Sequence, residues 1–562
     1  MTTIPPFIWF FLGALAIIPL RGWARNAVLL LIPALGGMGL LGVAEGTVWQ
    51  LTLMDYTLTP LRVDKLSLLF GYLFHLAAFI AFVFALHVRD TVQHVAGLFY
   101  AGSAIGAAFA GDLISLFIFW EIMAFSSAFL IFARRTERAR AAGLRYLIIQ
   151  VLSGVLLLAG ALVYLQETGS LAFDYIGLTG IGGWLIFIAF GIKCAFPLLH
   201  NWLTDAYPEA TPTGTVFLTA FTTKVAVYAL ARGFPGTELL VYIGVTMTCF
   251  PIFYAVIEND LRRVLSYSMI NQIGFMVCGI GIGTQLAING AVAHAFNDVL
   301  FKGLLMMSMG AVLYRTGRIN GSDLGGLYKT MPITAGFCMV GAASISAFPL
   351  FSGFVSKSLV MVATLEEGYH WVWLGLLFAS AGVFHHAGIK IPYFAFFGHD
   401  SGIRASEPPL NMLIAMGMAA TICIFIGVYP FALYDLLPYP VTYFPFDGTH
   451  VIAQLQILFF SALAFVWLQK NSLYPPELRS VNLDVEWLYR GATPRAIHAL
   501  VRWGGPVDSG IRGFVHRQAM RLVGLCHRVY GPRSAVAGTY SSGLMVLWVA
   551  ALLGVYLIFY LK

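Results

Sequence analysis

Residues 181–199 read IGGWLIFIAFGIKCAFPLL, an apolar run interrupted by one lysine, Lys193, and one proline, Pro197. A helix needs about 20 apolar residues to cross a bilayer, so this run is long enough to span a membrane. Proline breaks the backbone ladder of a helix. Inside a membrane, freed carbonyls are tolerated only where protein or water satisfies them. A broken helix beside a lysine therefore reads as a hydrated ion site. The tetrapeptide AFPL of 195–198 recurs at 347–350, inside the stretch 332–367, which is too long for one straight helix. That stretch contains Pro349 and Gly353, and Lys357 follows its AFPL copy.

The rest of the chain is built of similar runs. Of its 562 residues 59% are hydrophobic and 10% charged, and the mean hydropathy is +0.82. A soluble domain carries about 25% charged residues. The composition thus excludes an ordinary soluble protein, a nucleic-acid-binding protein and a disordered chain. Long continuous apolar segments favour helices over the strands of an outer-membrane barrel. The fold expected is an all-α polytopic membrane protein with about sixteen transmembrane helices. They fall at 5–20, 26–43, 65–88, 93–111, 112–132, 142–166, 181–199, 213–233, 237–257, 264–284, 286–313, 332–367, 370–397, 410–434, 451–469 and 541–561. Basic residues Arg21 and Arg25 follow the first apolar run instead of preceding it, so no cleavable signal peptide is expected. The scattered cysteines form no CxxC pair and read as small buried hydrophobes, with no metal site expected.

Alternation through the spans places the linker with Arg134, Arg135, Arg138 and Arg140 on one face. Arg21, Arg25, Arg89, Arg262, Arg263, Arg315, Arg318, Lys329, Arg404 and the stretch 471–540 fall on the same face. The opposite loops are nearly free of Lys and Arg, with Arg62 the main exception. Cytoplasmic loops carry the excess of Lys and Arg. Both termini are therefore expected on the outer side of the cell (inner) membrane, and 44–64 reads as a longer outer loop. The formal net charge of +7 then belongs to the cytoplasmic loops and implies no nucleic-acid partner.

Residues 471–540 hold nine arginines against four acidic residues. Apolar Ile511, Phe514, Val515, Leu522 and Val529 interleave with Arg512, His516, Arg517, Arg521 and Arg528 at the spacing of a basic amphipathic helix on the interface. The segment 490–533 is expected to bind anionic lipid. Its alternative role is a lateral brace to a neighbouring subunit. Gly504, Gly505, Pro506 and Gly510 are expected to prevent one long uninterrupted rod.

An ionisable side chain at membrane depth costs about 2.5–3.5 kcal/mol on insertion scales. Those that fall inside spans are candidates for function: Glu121, Lys193, Lys224, His294, Lys302 and Lys357. Asp298, His385, His386 and Lys390 are secondary candidates. Structural alternatives stand beside each. Glu121, Lys193 and Lys224 suit buried ion pairs. Lys302, four residues after Asp298, suits an intrahelical pair. Lys390, near a helix end, suits snorkelling to the interface. His385 and His386 are adjacent, point to different faces and make a poor metal pair. In a low dielectric a buried lysine loses affinity for its proton and a nearby glutamate restores it. A row of such groups joined by water forms a proton relay whose steps can be controlled.

The two AFPL breaks fall in the seventh and twelfth spans, five apart. An odd offset reverses orientation, which predicts two inverted five-helix repeats, spans 4–8 and 9–13. The organisation expected is 1–92 for three N-terminal helices, 93–233 for the first repeat and 234–398 for the second. Two further helices occupy 399–470, the amphipathic lateral segment 471–540, and a final helix 541–562.

These residues resemble the antiporter-like subunits: the large membrane subunits of respiratory complex I, of membrane-bound hydrogenases and of Mrp-type multisubunit Na+/H+ antiporters. The resemblance covers roughly 60–430. It rests on VDKLSLLFG at 63–71, FWEIMAFSS at 119–127, GIKCAFPLLHNWLTDAYPEATPTGTVFL at 191–218, LRRVLSYSMINQIGFM at 261–276, HAFNDVLFKGLL at 294–305 and FPLFSGFVSK at 348–357. The D-type subunit of the Mrp antiporter is the most similar type, through TTKVAVYALAR at 222–232 and LYRTGR at 313–318. The resemblance implies that Glu121 is the carboxylate of the fifth core helix and Lys193 the lysine of the broken seventh. Lys224 is then the eighth-helix lysine, His294 and Lys302 the central pair of the eleventh, and Lys357 the terminal residue of the twelfth. It also implies about fourteen core helices around a hydrophilic mid-membrane axis. Asp298 departs from the pattern, standing where relatives often carry histidine or an apolar residue. After about 470 the chain fits the D-type pattern poorly. A polar stretch before one last helix resembles the lateral extension of the distal complex-I subunit.

The function expected is ion translocation, of H+ and with Na+/H+ exchange open, within a multisubunit membrane assembly. The alternative is a proton-conducting coupling subunit of a redox-driven complex (NADH dehydrogenase or hydrogenase-like) or of an inorganic-carbon uptake complex. A stand-alone carrier needs a substrate pocket that the sequence does not show. A membrane enzyme lacks a nucleophile–base set, phosphate loop, haem ligand pair or Cys cluster. No cofactor is expected; the partners are other membrane subunits, H+ and lipid.

Overall fold

The structure, a computed structural model, describes residues 4–53, 56–478, 482–532, 534, 538 and 540–561. The outermost residues of the expected terminal segments, 1–3 and 562, and Arg533 at the end of the basic stretch lie outside the described residues. The chain divides into two units, Met1–Asn482 and Leu483–Lys562.

Among the described residues, twelve helices are long and apolar enough to cross a membrane. They coincide with apolar runs of the sequence, and the protein is a polytopic, mostly helical membrane protein. Burial is graded across the first unit. The apolar windows of Pro212–Gly233, Leu261–Ile282 and Gln285–Thr316 are 100%, 94% and 94% buried, against 11% for Gly448–Lys470. The central helices are also the ones carrying lysine, histidine and aspartate. Intramembrane charge normally faces a bundle interior, and here the centre of the first unit is where it lies.

Side chains from the connecting loops start these helices. Asp64 accepts from Ser67 N as the N-cap of Lys65–Ala85, with the Ser67 hydroxyl accepting in return from the Asp64 N–H. Asp112 receives Ile114 N and Ser115 N at the head of Leu113–Phe132, and Asp260 does the same for Leu261–Ile282. Each satisfies orphan N–H donors of a first turn.

The longer loop expected at 44–64 contains two strands. Val48–Leu53 and Tyr56–Arg62 pair as an antiparallel hairpin, with Val48 opposite Arg62 and Thr52 opposite Thr57. The first strand carries Val48, Trp49 and Thr52 and the second Tyr56, Thr57 and Thr59, β-branched and aromatic residues that suit a pleated ribbon. Arg62, the main exception to the loop charge pattern, is held by Asp174 at 2.9 Å and by the Phe173 carbonyl at 2.6 Å.

In the second unit, a short π-helix at Leu488–Ala492 leads into one helix, Thr493–Tyr530, of 38 residues. The expected interruption at Gly504–Pro506 does not occur. Pro506 removes the N–H that would bond the Arg502 carbonyl and its ring crowds that carbonyl, yet the helix runs through it as one element. Arg502 is exposed, so solvent or headgroups can satisfy that carbonyl. A last helix, Ser542–Tyr560, ends the unit.

Candidate functional site

Glu121 lies in mid-helix, within Leu113–Phe132. Its Oε1 is buried without a hydrogen-bond partner among the described residues, and the charge it feels is that of Lys193. Gly154 on the next helix makes room for it, since a Cβ there would run into the Glu121 carboxylate. On its other side Glu121 lines an apolar cleft of about 450 Å³ with Val92, Phe99, Phe125 and Phe129.

Lys193 is the last residue of Gly180–Lys193 and is fully buried. Its Nζ donates to the Trp120 carbonyl at 2.6 Å and stands 4.4 Å from the centre of the Trp120 ring. The helix then stops in a Schellman turn. Ala195 is left-handed at φ 62°, Ala195 N bonds Ile192 O at 3.1 Å, and Phe196 N bonds Gly191 O at 3.0 Å. The other AFPL copy folds the same way after Pro332–Ile345. Ala347 has φ 57°, Ala347 N bonds Ser344 O at 3.1 Å, and Phe348 N bonds Ala343 O at 3.0 Å. Each turn places a lysine on the break: Lys193 before the first, and Lys357, whose Nζ donates to Ile345 O at 2.8 Å, across the second.

At the centre, Lys224 and Asp298 form an ion pair at 2.6 Å, and both side chains are 0% exposed. Lys224 also donates to the Thr219 carbonyl at 3.2 Å, just before the helix falters at Phe221 (φ −109°, ψ −66°). The Asp298 Oδ1 has no hydrogen-bond partner among the described residues. The intrahelical alternative for Lys302 is therefore not adopted. Lys302 donates instead to the Ser268 hydroxyl at 2.8 Å. His294 sits between Ser356 Oγ at 3.0 Å from Nδ1 and Gln272 Oε1 at 3.2 Å from Nε2. Gln272 in turn donates to Asn271 Oδ1 at 2.6 Å.

Lys390 does not snorkel. It is fully buried, donates to the carbonyls of Val256 at 2.6 Å and Glu258 at 2.7 Å, and pairs with Glu477 at 2.9 Å. It thus caps the C-terminus of Glu238–Ile257, where a cation meets the negative end of the helix dipole. His385 packs against Phe465 and Tyr474 at ring distances of 5.3 and 5.4 Å. His386 points elsewhere, into the core, and feels the charges of Lys302 and Lys390.

The structure therefore brings the candidates into three groups. Glu121 stands with Lys193; Lys224 stands with Asp298, and Lys302, His294 and Lys357 lie close by on the charges that reach them; Lys390 stands with Glu477. Glu477 was not among the residues expected from the sequence. Its only signal is an acid in a basic, proline-containing segment. Ser268, Gln272 and Ser356 were also missed, being ordinary polar residues until the helices pack.

Residues 110–431 match the family model described as NADH:quinone oxidoreductase/Mrp antiporter, TM. The chain is 31% identical over 316 residues to the D-type subunit of the Na(+)/H(+) antiporter of Alkalihalophilus pseudofirmus, covering 52% of this chain and 64% of that protein. It is 32% identical over 312 residues to the N-type subunit of the NADH-quinone oxidoreductase of Desulforudis audaxviator, covering 51% and 62%. The matched part thus spans a little over three fifths of those relatives, 64% and 62%. A chain of the membrane-bound sulfane sulfur reductase, an archaeal respiratory membrane complex, superposes with a TM-score of 0.72 at 22% identity, covering 99% of both chains. That likeness extends the shared fold beyond the family match.

Proposed function

The chain belongs to the NADH:quinone oxidoreductase/Mrp antiporter transmembrane family, and from that premise we propose that it is an ion-translocating subunit of a multisubunit assembly in the cell membrane. It moves protons along a mid-membrane relay of Glu121, Lys193, Lys224, Asp298, His294, Lys302 and Lys357, and exchange for Na+ uses the same axis. The observation that carries this is the balance of charge at the centre. Lys193, Lys224 and Lys302 are fully buried and Lys357 nearly so, yet among the described residues just one of the four, Lys224, has a carboxylate within 4.0 Å, that of Asp298. An unpaired buried charge is costly. Lysines that can stand with or without their proton relieve that cost as charge moves past them.

Asp298 is the switch in this reading. It pairs with Lys224, and Lys302 lies one turn along its own helix. When Lys302 gains a proton, Asp298 can exchange Lys224 for Lys302, and Lys224 then gives its proton up. The proton on Lys224 is supplied from the Glu121–Lys193 end. Glu121 faces a cleft, which a neighbouring membrane subunit would close.

The finer architecture belongs to the same proposal. The sixteen spans, with helices broken at both AFPL copies, form inverted repeats over 93–233 and 234–398. The matched Schellman turns support that symmetry. Both termini lie on the outer side, and 490–533 meets anionic lipid. A second reading, a coupling subunit of a redox-driven complex, is favoured by the full-length likeness to the sulfane sulfur reductase chain.

The test is proton flux in vesicles with Glu121→Gln, Lys193→Ala and Lys224→Ala. Each is expected to lose at least nine tenths of the flux while the assembly forms. Full flux in all three variants sinks the relay. Mass spectrometry of partners purified with the chain separates the two readings. Small membrane subunits alone mean an antiporter, and iron–sulfur or quinone-reactive partners mean a redox pump.

A further inference from the structure

Lys390 and Glu477 lie off the central relay, and around them the structure assigns a second function. Glu477 stands at the edge of a cleft of about 490 Å³ lined also by Ser322, His399, Gln469, Ser472 and Tyr474. The loops that build it, around 321–322, 399 and 474–477, lie with Arg263, Lys329 and Arg404 on the arginine-rich face. Glu477 has one ion-pair partner, Lys390, and its Oε2 has no hydrogen bond among the described residues. Burial first, and then Glu258, push its carboxyl above the ordinary range, against the pull of Lys390. Glu258, the other acid here, is already occupied. It accepts from Asn259 N, Asp260 N and Asn482, and it lies 3.9 Å from Arg263. On the inner side of Lys390 stands His386, 0% exposed. Neither of its ring nitrogens makes a hydrogen bond among the described residues, and the Gly382 carbonyl faces it at longer range. The charges that reach His386 are those of Lys390, His385 and Lys302.

We propose that this cleft is a proton port that feeds Lys302 from the arginine-rich face, independently of the Glu121–Lys193 end. The inference rests on the relay reading for its destination. Glu477 takes a proton from cleft water and becomes a neutral acid. Lys390 passes one of its protons inward to His386 and recovers one from Glu477. His386, now an imidazolium, releases its proton to an unprotonated Lys302, with water bridging each gap. One proton leaves the cleft, one arrives at Lys302, and Glu477, Lys390 and His386 end as they began. The path uses the ring nitrogen of His386 that the Gly382 carbonyl leaves open, because a buried polar group without a partner is costly.

The test uses the complex purified from native membrane and reconstituted in lipid vesicles, with pH-gradient-driven proton flux as the readout. Cys526, the exposed cysteine, is first replaced by serine. Glu477→Gln and His386→Leu are each expected to lower the flux at least fivefold, with Glu477→Asp recovering at least half. A bulky membrane-impermeant maleimide on Ser472→Cys, added from the arginine-rich face, should lower the flux comparably and leave the Cys526→Ser parent untouched. Ser472 is exposed, so this variant keeps the fold even if the buried ones do not. Unchanged flux in Glu477→Gln and in labelled Ser472→Cys, beside loss in Glu121→Gln and Lys302→Ala, overturns the port and leaves the relay standing. Unchanged flux in Glu121→Gln and Lys302→Ala as well removes the relay and the port together.

Discussion

A carboxylate with one lysine at 2.6 Å and another a turn away is held in place by the first and available to the second. Removing one member of a buried pair leaves an uncompensated charge and costs about 3–5 kcal/mol, whereas replacing both with apolar groups of similar size is near neutral. Asp298→Asn is therefore expected to destabilise the protein by about 3 kcal/mol and to abolish proton flux. Asp298→Leu with Lys224→Met should restore most of the stability and none of the flux. Thermal unfolding in detergent beside vesicle flux reads both quantities. Flux returning in the double variant would contradict a switching role for Asp298. The lysines were legible in the sequence because a cation inside an apolar run is costly and stands out. Their partners were not legible. Asp298 could equally have paired with Lys302 by spacing, and the packing of Thr222–Gly233 against Gln285–Thr316 decided for Lys224. Lys390 looked able to snorkel because spacing cannot reveal a helix C-terminus and a loop carboxylate converging on its ammonium.

At the scale of elements, proline drew attention to the two broken helices, but proline is not where they break. Pro197 comes two residues after Ala195, whose left-handed backbone ends the helix, and Pro349 stands in the same relation to Ala347. Proline shortly after a Schellman turn only prevents the helix from resuming. An L-residue with a Cβ in that conformation costs roughly 1–2 kcal/mol, a cost that glycine escapes. Ala195→Gly and Ala347→Gly are each expected to stabilise the protein by about 1 kcal/mol, since glycine gives back part of the gain as chain entropy. The lysines keep their carbonyl partners, so flux should hold within about twofold. Differential scanning calorimetry beside the flux assay checks this, and a fall in stability at both sites would mean that the alanine methyls are packed and not strained. The same local physics explains the elements that sequence periodicity missed. The strands Val48–Leu53 and Tyr56–Arg62 read as loop in the sequence because neither is long enough to stand out. Gly504, Gly505 and Pro506 were read as a helix break, although one lost hydrogen bond on an exposed face does not outweigh the turns around it.

For the whole molecule, hydropathy and the positive-inside bias are read over every span and loop at once, and the twelve membrane-length helices among the described residues bear on the hydropathy alone. Burial is graded within the first unit, with the charged helices at its centre and Gly448–Lys470 at its periphery. What neither could supply is the use of the second unit. By itself this unit buries no residue of Thr493–Tyr530 or of Ser542–Tyr560. The last helix has a mean hydropathy of 2.3 over its most apolar window, so bilayer or another membrane subunit must cover it. Trp548, Leu552, Tyr556 and Phe559 stand among its exposed large side chains, and aromatic residues of this kind anchor interfaces. The relay residues all lie in the first unit, so loss of the last helix should spare conduction and weaken attachment. A chain ending at residue 540 is expected to retain at least half of its flux per copy in vesicles. It should recover less than a third of the partner subunits retained by the full chain when the complex is purified from native membrane. Full recovery of partners would assign Ser542–Tyr560 to lipid anchoring alone. Loss of flux with partners fully retained would place part of the conducting path in the second unit.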